Sequence, residues 1–176
     1  MTRGAYALLL CLALLPAQTR AADPAPPPNL VVITDRLVTS GQPSAEWLAT
    51  LRAQGFDAVI YLAPPTVPDA VRDEARIVAS QGLAFVNIPI RFDAPADADY
   101  ALFAATLQGL RGRKVLVHCQ VNLRASSMTF LYRAVGLRED PDRAYDSVTR
   151  VWTPDGAWRR FMDDQLKRNG IAFEVY

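Results

Sequence analysis

The sequence predicts a single α/β domain, residues 30–176, with a mainly parallel central sheet flanked by helices. Three observations predict it. Strand-like and helix-like stretches alternate along the chain, as in β–α–β units. The run KVLVHC at 114–119 is almost continuously apolar, as expected of a strand covered on both faces. Glycines at 55, 82 and 136 stand where the helical patterns should stop.

The elements follow in order. NLVVIT and RLVTSGQP read as two short strands closing on a turn. Ser44 can cap a helix running to about Gln54, which Gly55 ends. DAVIYLA is a buried strand. After the loop PPTVP, Asp69 can cap a helix running to Gln81. LAFVNIPI is the next strand, RFDAPADAD a loop, and a helix covers roughly Tyr100 to Leu110. The strand KVLVHC follows, then a helix from about Arg124 to Val135. Pro141 suits the first turn of another helix, to about Val151, and Asp155 starts a last one ending near Gly170.

The first 21 residues have the layout of a secretory signal peptide: Arg3, an apolar run from Ala5 to Leu15, Pro16, and small residues for cleavage near Ala21 or Ala22. The run is short for a membrane span. A lipid anchor through Cys11 fits less well, because Leu10 stands where a small residue is wanted. Residues 22–29, with DPAPPP, read as a structureless Pro-rich lead-in. Cleavage would remove Arg3 and Arg20 and take the formal charge from +1 to −1. That balance suggests neither nucleic acid nor a strongly anionic surface as partner. The expected location is outside the cytoplasm, in a bacterial periplasm, with no stable membrane insertion after cleavage.

The cysteine count is informative. Cys11 lies in the expected signal, which leaves Cys119 as the one thiol, next to His118, the one histidine. A lone thiol in an exported protein makes no internal disulfide, so it is either inert or kept for its reactivity. One cysteine and one histidine do not build a usual zinc site, and no GxxxxGK[ST] or GxGxxG stretch implies a nucleotide; no metal or cofactor is expected. In HCQVNLRAS, residues 118–126, the cysteine ends a strand and a helix follows. Such a turn is an anion cradle, since N–H groups and the helix dipole point into it. The same environment favours the nucleophilic thiolate, and an arginine in the turn can grip two phosphate oxygens. Sites in open α/β sheets form at the carboxyl ends of strands, where both this loop and FDAP lie.

Here the chain resembles the protein tyrosine phosphatase superfamily, in particular its small bacterial dual-specificity-like members. The resemblance extends over RLVTSGQPSAEWLATLRAQGFDAVIYLAPP, VNIPIRFDAP, VLVHCQVNLRAS and TFLYRAVGL, most of residues 30–135. It implies hydrolysis of phosphate monoesters, from a phosphorylated protein or a small ester, through a cysteinyl-phosphate. Cys119 would be the nucleophile. Arg124 and the backbone of Gln120, Val121, Asn122, Leu123 and Ala125 would hold the phosphate. Asp93 would be the general acid, with Asp97 and Asp99 as alternatives that also suit a helix cap. His118 would orient the loop, and Ser126, or less directly Ser127, would hydrogen-bond the sulfur.

The chain departs from the family in one place. The usual pattern is HCxxGxxR followed by Ser or Thr; here Asn122 takes the glycine slot and either Ser126 keeps its place with Arg124 one position early, or the loop is one residue shorter and Ser126 is displaced. Asn tolerates the left-handed conformation next best after Gly. The early arginine leaves two alternatives open: a silent phosphate-binding protein, and a rhodanese-like sulfurtransferase, whose shorter loop more often opens Cys-Arg. Gln42 can brace the rim or merely turn the chain, and Arg91 can meet an anion or merely solvate. Trp47, Trp152 and Trp158 fit core packing better than substrate stacking.

Overall fold

The computed structural model describes residues 23–176. The expected signal peptide, with Cys11, lies outside the described residues. Among the described residues, five strands form one sheet: β1 (Val31–Thr34), β2 (Leu37–Ser40), β3 (Ala58–Tyr61), β4 (Ala84–Asn87) and β5 (Val115–His118). Their spatial order is β1-β2-β5-β3-β4; β1 and β2 pair antiparallel, and every other pairing is parallel. The apolar run at 114–119 therefore supplies the central strand, with Ser40 and Tyr61 in register on either side of His118.

Alternation along β5 sends its side chains to two cores. Val115 and Val117 join Phe103, Met128, Phe130, Tyr145 and Trp158. That layer holds α3 (Asp97–Gly109), α4 (Leu123–Leu131), α5 (Pro141–Thr149) and α6 (Gly156–Arg168). Leu116 joins Val38, Trp47, Leu48 and Val78 on the opposite face, under α1 (Ala45–Leu48) and α2 (Glu74–Ala79). Trp47 and Trp158 are both core residues, as expected.

Four boundaries differ from expectation. Ser44 does cap α1, accepting from the Trp47 N–H at 3.2 Å, but the regular helix stops at Leu48. Thr50 Oγ1 donates to the Trp47 carbonyl at 2.7 Å, and the N–H groups of Thr50, Leu51 and Gly55 bond three residues back, tightening the chain into turns up to Gly55. Helix α2 begins at Glu74 rather than Asp69, because residues 64–73 are turns and the Asp69 carboxylate bonds Gln120 instead. Helix α3 begins three residues early, where Asp99 Oδ2 accepts from the Ala96 N–H at 2.9 Å. The helix after the cysteine loop widens at Tyr132–Gly136 into one π turn.

The end of the lead-in is not structureless. Pro28 accepts from the Gly41 N–H at 2.7 Å, and Asn29 is bonded to the cysteine loop.

Candidate active site

Cys119 leaves the carboxyl end of β5 fully buried, its N–H donating to Ser40 at 3.2 Å. The loop after it is held from outside by the β2–α1 turn. Gln42 N–H donates to Gln120 at 2.9 Å, and Gly41 bridges Val121. A Cβ on Gly41 would stand 2.8 Å from the Gln120 carbonyl oxygen and 3.0 Å from that of Pro28, so only glycine fits between the two segments. Asn122 is left-handed, with φ 73°, as its place in the glycine slot led us to expect. Its side chain is also a buried tie, donating to the Asn29 carbonyl at 2.6 Å and to Thr39 Oγ1 at 3.1 Å. Asn29 Nδ2 donates in return to the Val121 carbonyl at 2.9 Å.

Helix α4 starts at Leu123, so the N–H groups of Leu123, Arg124 and Ala125 have no partner one turn earlier and face the loop. Arg124 is 5% exposed. Its Nε donates to the Ile90 carbonyl at 3.0 Å, one Nη makes a long 3.4 Å contact with Gln120 Oε1, and the guanidinium lies 5.1 Å from the centre of the Phe92 ring. Ala125, where the usual spacing would put the arginine, is wholly buried in the main core. The Ser126 and Ser127 hydroxyls both turn back to the Leu123 carbonyl, at 3.1 and 2.9 Å.

His118 points away from Cys119, to the α2 side. Its Nε2 lies 2.6 Å from Oε1 of the buried Glu74, and its ring stacks on Tyr61 at 4.7 Å between centroids. Gln42 Nε2 donates to the other Glu74 oxygen at 3.0 Å. Burial, then the charges of Glu74, Asp69 and Cys119, push the Tyr61 hydroxyl well above its ordinary pKa, against a smaller opposing pull from Arg124. The loop cysteine, its arginine and these carboxylates thus share one neighbourhood.

The three candidate acids separate. Asp97 is taken by α6: both of its oxygens pair with Arg168, and Gln165 donates to it at 2.8 Å. Asp99 caps α3. Asp93 remains on the loop after β4, exposed and clasped by Arg91 at 3.1 and 2.6 Å. The Arg91 hydrogen bonds hold the Asp93 carboxyl below its ordinary pKa. Beside it, Phe92 is flanked by Trp152 and Trp158, with ring centroids 6.1 and 6.0 Å away, and Trp158 donates to the Phe92 carbonyl at 2.8 Å.

The family model described as "DSP-PTPase phosphatase fused to NAD+ Kinase" matches residues 33–162. The chain belongs to this DSP-PTPase family. That family is one of dual-specificity and tyrosine-phosphatase-like phosphatases. The beta-lactamase hydrolase-like protein of Xylella fastidiosa is 28% identical over 117 residues, 65% of this chain and 27% of that protein. The chain therefore spans about a quarter of the length of the curated relatives it matches. A DUF442 candidate phosphatase from Shewanella putrefaciens CN-32 superposes with a TM-score of 0.73 at 28% identity, covering 81% of this chain and 93% of that one. The catalytic core of the PP-IP phosphatase SIW14 of S. cerevisiae shares the fold, with a TM-score of 0.66 at 13% identity over 87% and 99% of the two chains.

Several residues of this DSP-PTPase site escape a reading of the sequence. Glu74, Tyr61, Asp69 and Asn29 come from other segments, and none stands in a spaced motif. Phe92 had a usable signal, an aromatic residue next to Asp93.

Proposed function

We propose that the protein is an exported, metal-free cysteine phosphatase acting on phosphate monoesters. Cys119 Sγ attacks phosphorus, the S–P bond forms, and the P–O bond to the leaving group breaks. Asp93, freed from Arg91, gives its proton to the departing oxygen. The same carboxylate then takes a proton from the water that splits the S–P bond and releases phosphate. Arg124 and the N–H groups at the start of α4 stabilise the equatorial oxygens throughout. The observation that carries the reading is the buried Cys119 on a loop that turns through left-handed Asn122 into α4, with Arg124 in its first turn and tied to the Ile90 carbonyl. Export rests on the N-terminal pattern alone.

The test is turnover of a generic aryl phosphate, with vanadate as inhibitor, by the wild type and by Cys119→Ser. Vanadate-sensitive hydrolysis that disappears in the variant is expected, together with negligible thiocyanate from thiosulfate and cyanide. Thiocyanate production without phosphate release would replace this reading with sulfur transfer. Oxyanion binding with no turnover of either kind would make the protein a silent phosphate binder.

A further inference from the structure

The anion loop is tied from outside to the end of the lead-in by two asparagines. Asn29 Nδ2 donates to the Val121 carbonyl at 2.9 Å, and Asn122 Nδ2 donates to the Asn29 carbonyl at 2.6 Å. Both acceptors are main-chain carbonyls, so only the nitrogen end of a carboxamide can make either contact. Asn29 is left-handed, with φ 49°, as Asn122 is at 73°. Next to this tie, the Gln42 N–H donates to the Gln120 carbonyl at 2.9 Å, and Pro28 accepts from the Gly41 N–H at 2.7 Å. The lead-in and the β2–α1 turn thus form one wall. The carbonyls of two consecutive peptide units, 120–121 and 121–122, are drawn toward that wall. In a planar trans peptide the N–H points opposite to the C=O. The N–H groups of Val121 and Asn122 therefore point away from the wall.

We infer that Asn29 is a positioning residue for the anion loop: by holding the Val121 carbonyl outward it aims the Asn122 N–H into the cradle, as a preorganised donor to a phosphate oxygen. The inference rests on the loop after Cys119 binding the oxyanion, as in the proposed function. Asn29 acts through the Val121–Asn122 peptide plane. It is exposed, so water could satisfy the Val121 carbonyl in its place, but water would not fix the direction of that plane. Donors fixed in advance count most where charge builds up in the transition state. A loosened peptide plane would therefore cost turnover more than substrate binding. Residues 28 and 29 belong to the site on this reading, although they precede the first strand.

Asn29→Gly separates the two halves of the tie. Glycine keeps the left-handed conformation and the main-chain carbonyl that Asn122 takes, and removes only the donor to Val121. With an aryl phosphate it should lose about 10-fold in kcat with little change in KM, less than the roughly 10²–10³-fold lost when a donor is deleted outright. Vanadate affinity should fall with kcat, and the thermal midpoint should stay. Asn29→Asp, which sets a carboxylate against the Val121 carbonyl, should lose at least as much. In isotope-labelled protein the Asn122 amide proton should move downfield when vanadate binds the wild type, and should move less in Asn29→Gly. Unchanged kcat and vanadate affinity in both variants overturns the inference and leaves the phosphatase reading intact. So does a lowered midpoint with the vanadate response of Asn122 preserved, the mark of a tether that is only structural. If the wild type hydrolyses no phosphate ester while vanadate still moves the Asn122 amide and Asn29→Gly weakens that response, the proposed function fails and the positioning role of Asn29 stands.

Discussion

Arg124 Nε donates to the carbonyl of Ile90 at 3.0 Å, so the arginine of the anion loop is tied to the backbone that leads into the acid loop. Two residues on, the Phe92 ring covers the same guanidinium, and Asp93 follows. The side chain proposed to hold the oxyanion and the loop that carries Asp93 therefore share one hydrogen bond and one ring contact.

Phe92→Ala removes the ring from the guanidinium and one wall of the Trp152–Trp158 cluster. A cation–π contact at a partly exposed ring is worth about 0.5–1 kcal/mol. Vanadate affinity should fall about two- to fivefold, with the thermal midpoint little changed. An unchanged vanadate affinity would mean that the ring does not help hold Arg124.

The ion pair of Arg91 with Asp93 makes a signed pH prediction. Arg91 lowers the Asp93 pKa, so the carboxyl stays ionised to lower pH than it would alone. A general acid works only while protonated. Arg91→Gln removes the cause of the shift and raises that pKa in the free enzyme, so the high-pH limb of kcat/KM should move to higher pH. The shift should appear with esters of poor leaving groups, which need full protonation, and should vanish in Arg91→Gln/Asp93→Asn. A limb that stays put would exclude Asp93 as the acid.

Gln120 joins the anion loop to Asp69, donating from Nε2 at 2.9 Å while its oxygen faces Arg124. Gln120→Glu sets two carboxylates against each other and should weaken vanadate binding and turnover. Adding Asp69→Asn restores a donor–acceptor pair with its polarity reversed, and should recover most of the loss. A double variant no better than the single one would show that this contact does not position the loop.

The strands and the cysteine loop were legible in the sequence because their determinants are local. VLVH is apolar on both faces, Asn122 is one of the few residues that accepts φ 73°, and Pro141 opens α5 as its missing N–H allows. The helix starts at Ser44 and Pro141 were readable for the same reason. What stayed hidden depends on contacts across the sheet. Asp69 looks like a helix cap until Gln120, 51 residues away, is seen to take it, and Glu74 looks like an ordinary first-turn acid until His118 is found beside it. Strand order was equally unreadable, because β5 enters between β2 and β3 only through long-range pairing.

Asn122 combines a backbone role with a tie. Asn122→Gly keeps the left-handed turn and loses the bonds to Asn29 and Thr39, whereas Asn122→Ala loses both bonds and strains the turn. The left-handed conformation costs a residue with a Cβ about 1–2 kcal/mol. The alanine variant should therefore be less stable than the glycine variant by roughly 1 kcal/mol in urea, on the same scale. Equal stabilities would mean that the loop relaxes out of the left-handed conformation.

The position of the arginine can be tested by moving it. Ala125, the slot of the usual family spacing, is 0% exposed in the main core, whereas Arg124 lies at the core edge with its Nε on Ile90 and its ring neighbour Phe92 in place. Arg124→Ala with Ala125→Arg would drive a guanidinium among packed apolar side chains, and an uncompensated buried charge costs about 3–5 kcal/mol. The relocated protein should show a lower thermal midpoint and less activity than the wild type. Arg124→Ala alone should keep its fold and lose about 10²–10³-fold in kcat, the usual loss when one preorganised donor is removed. Arg124→Lys should fare nearly as badly, because an ammonium offers no planar fork to span Ile90 and a phosphate oxygen together. If the relocated protein instead matches the wild type in stability and exceeds it in turnover, the core at 125 accommodates the side chain, and Arg124 is not the residue around which this loop is shaped.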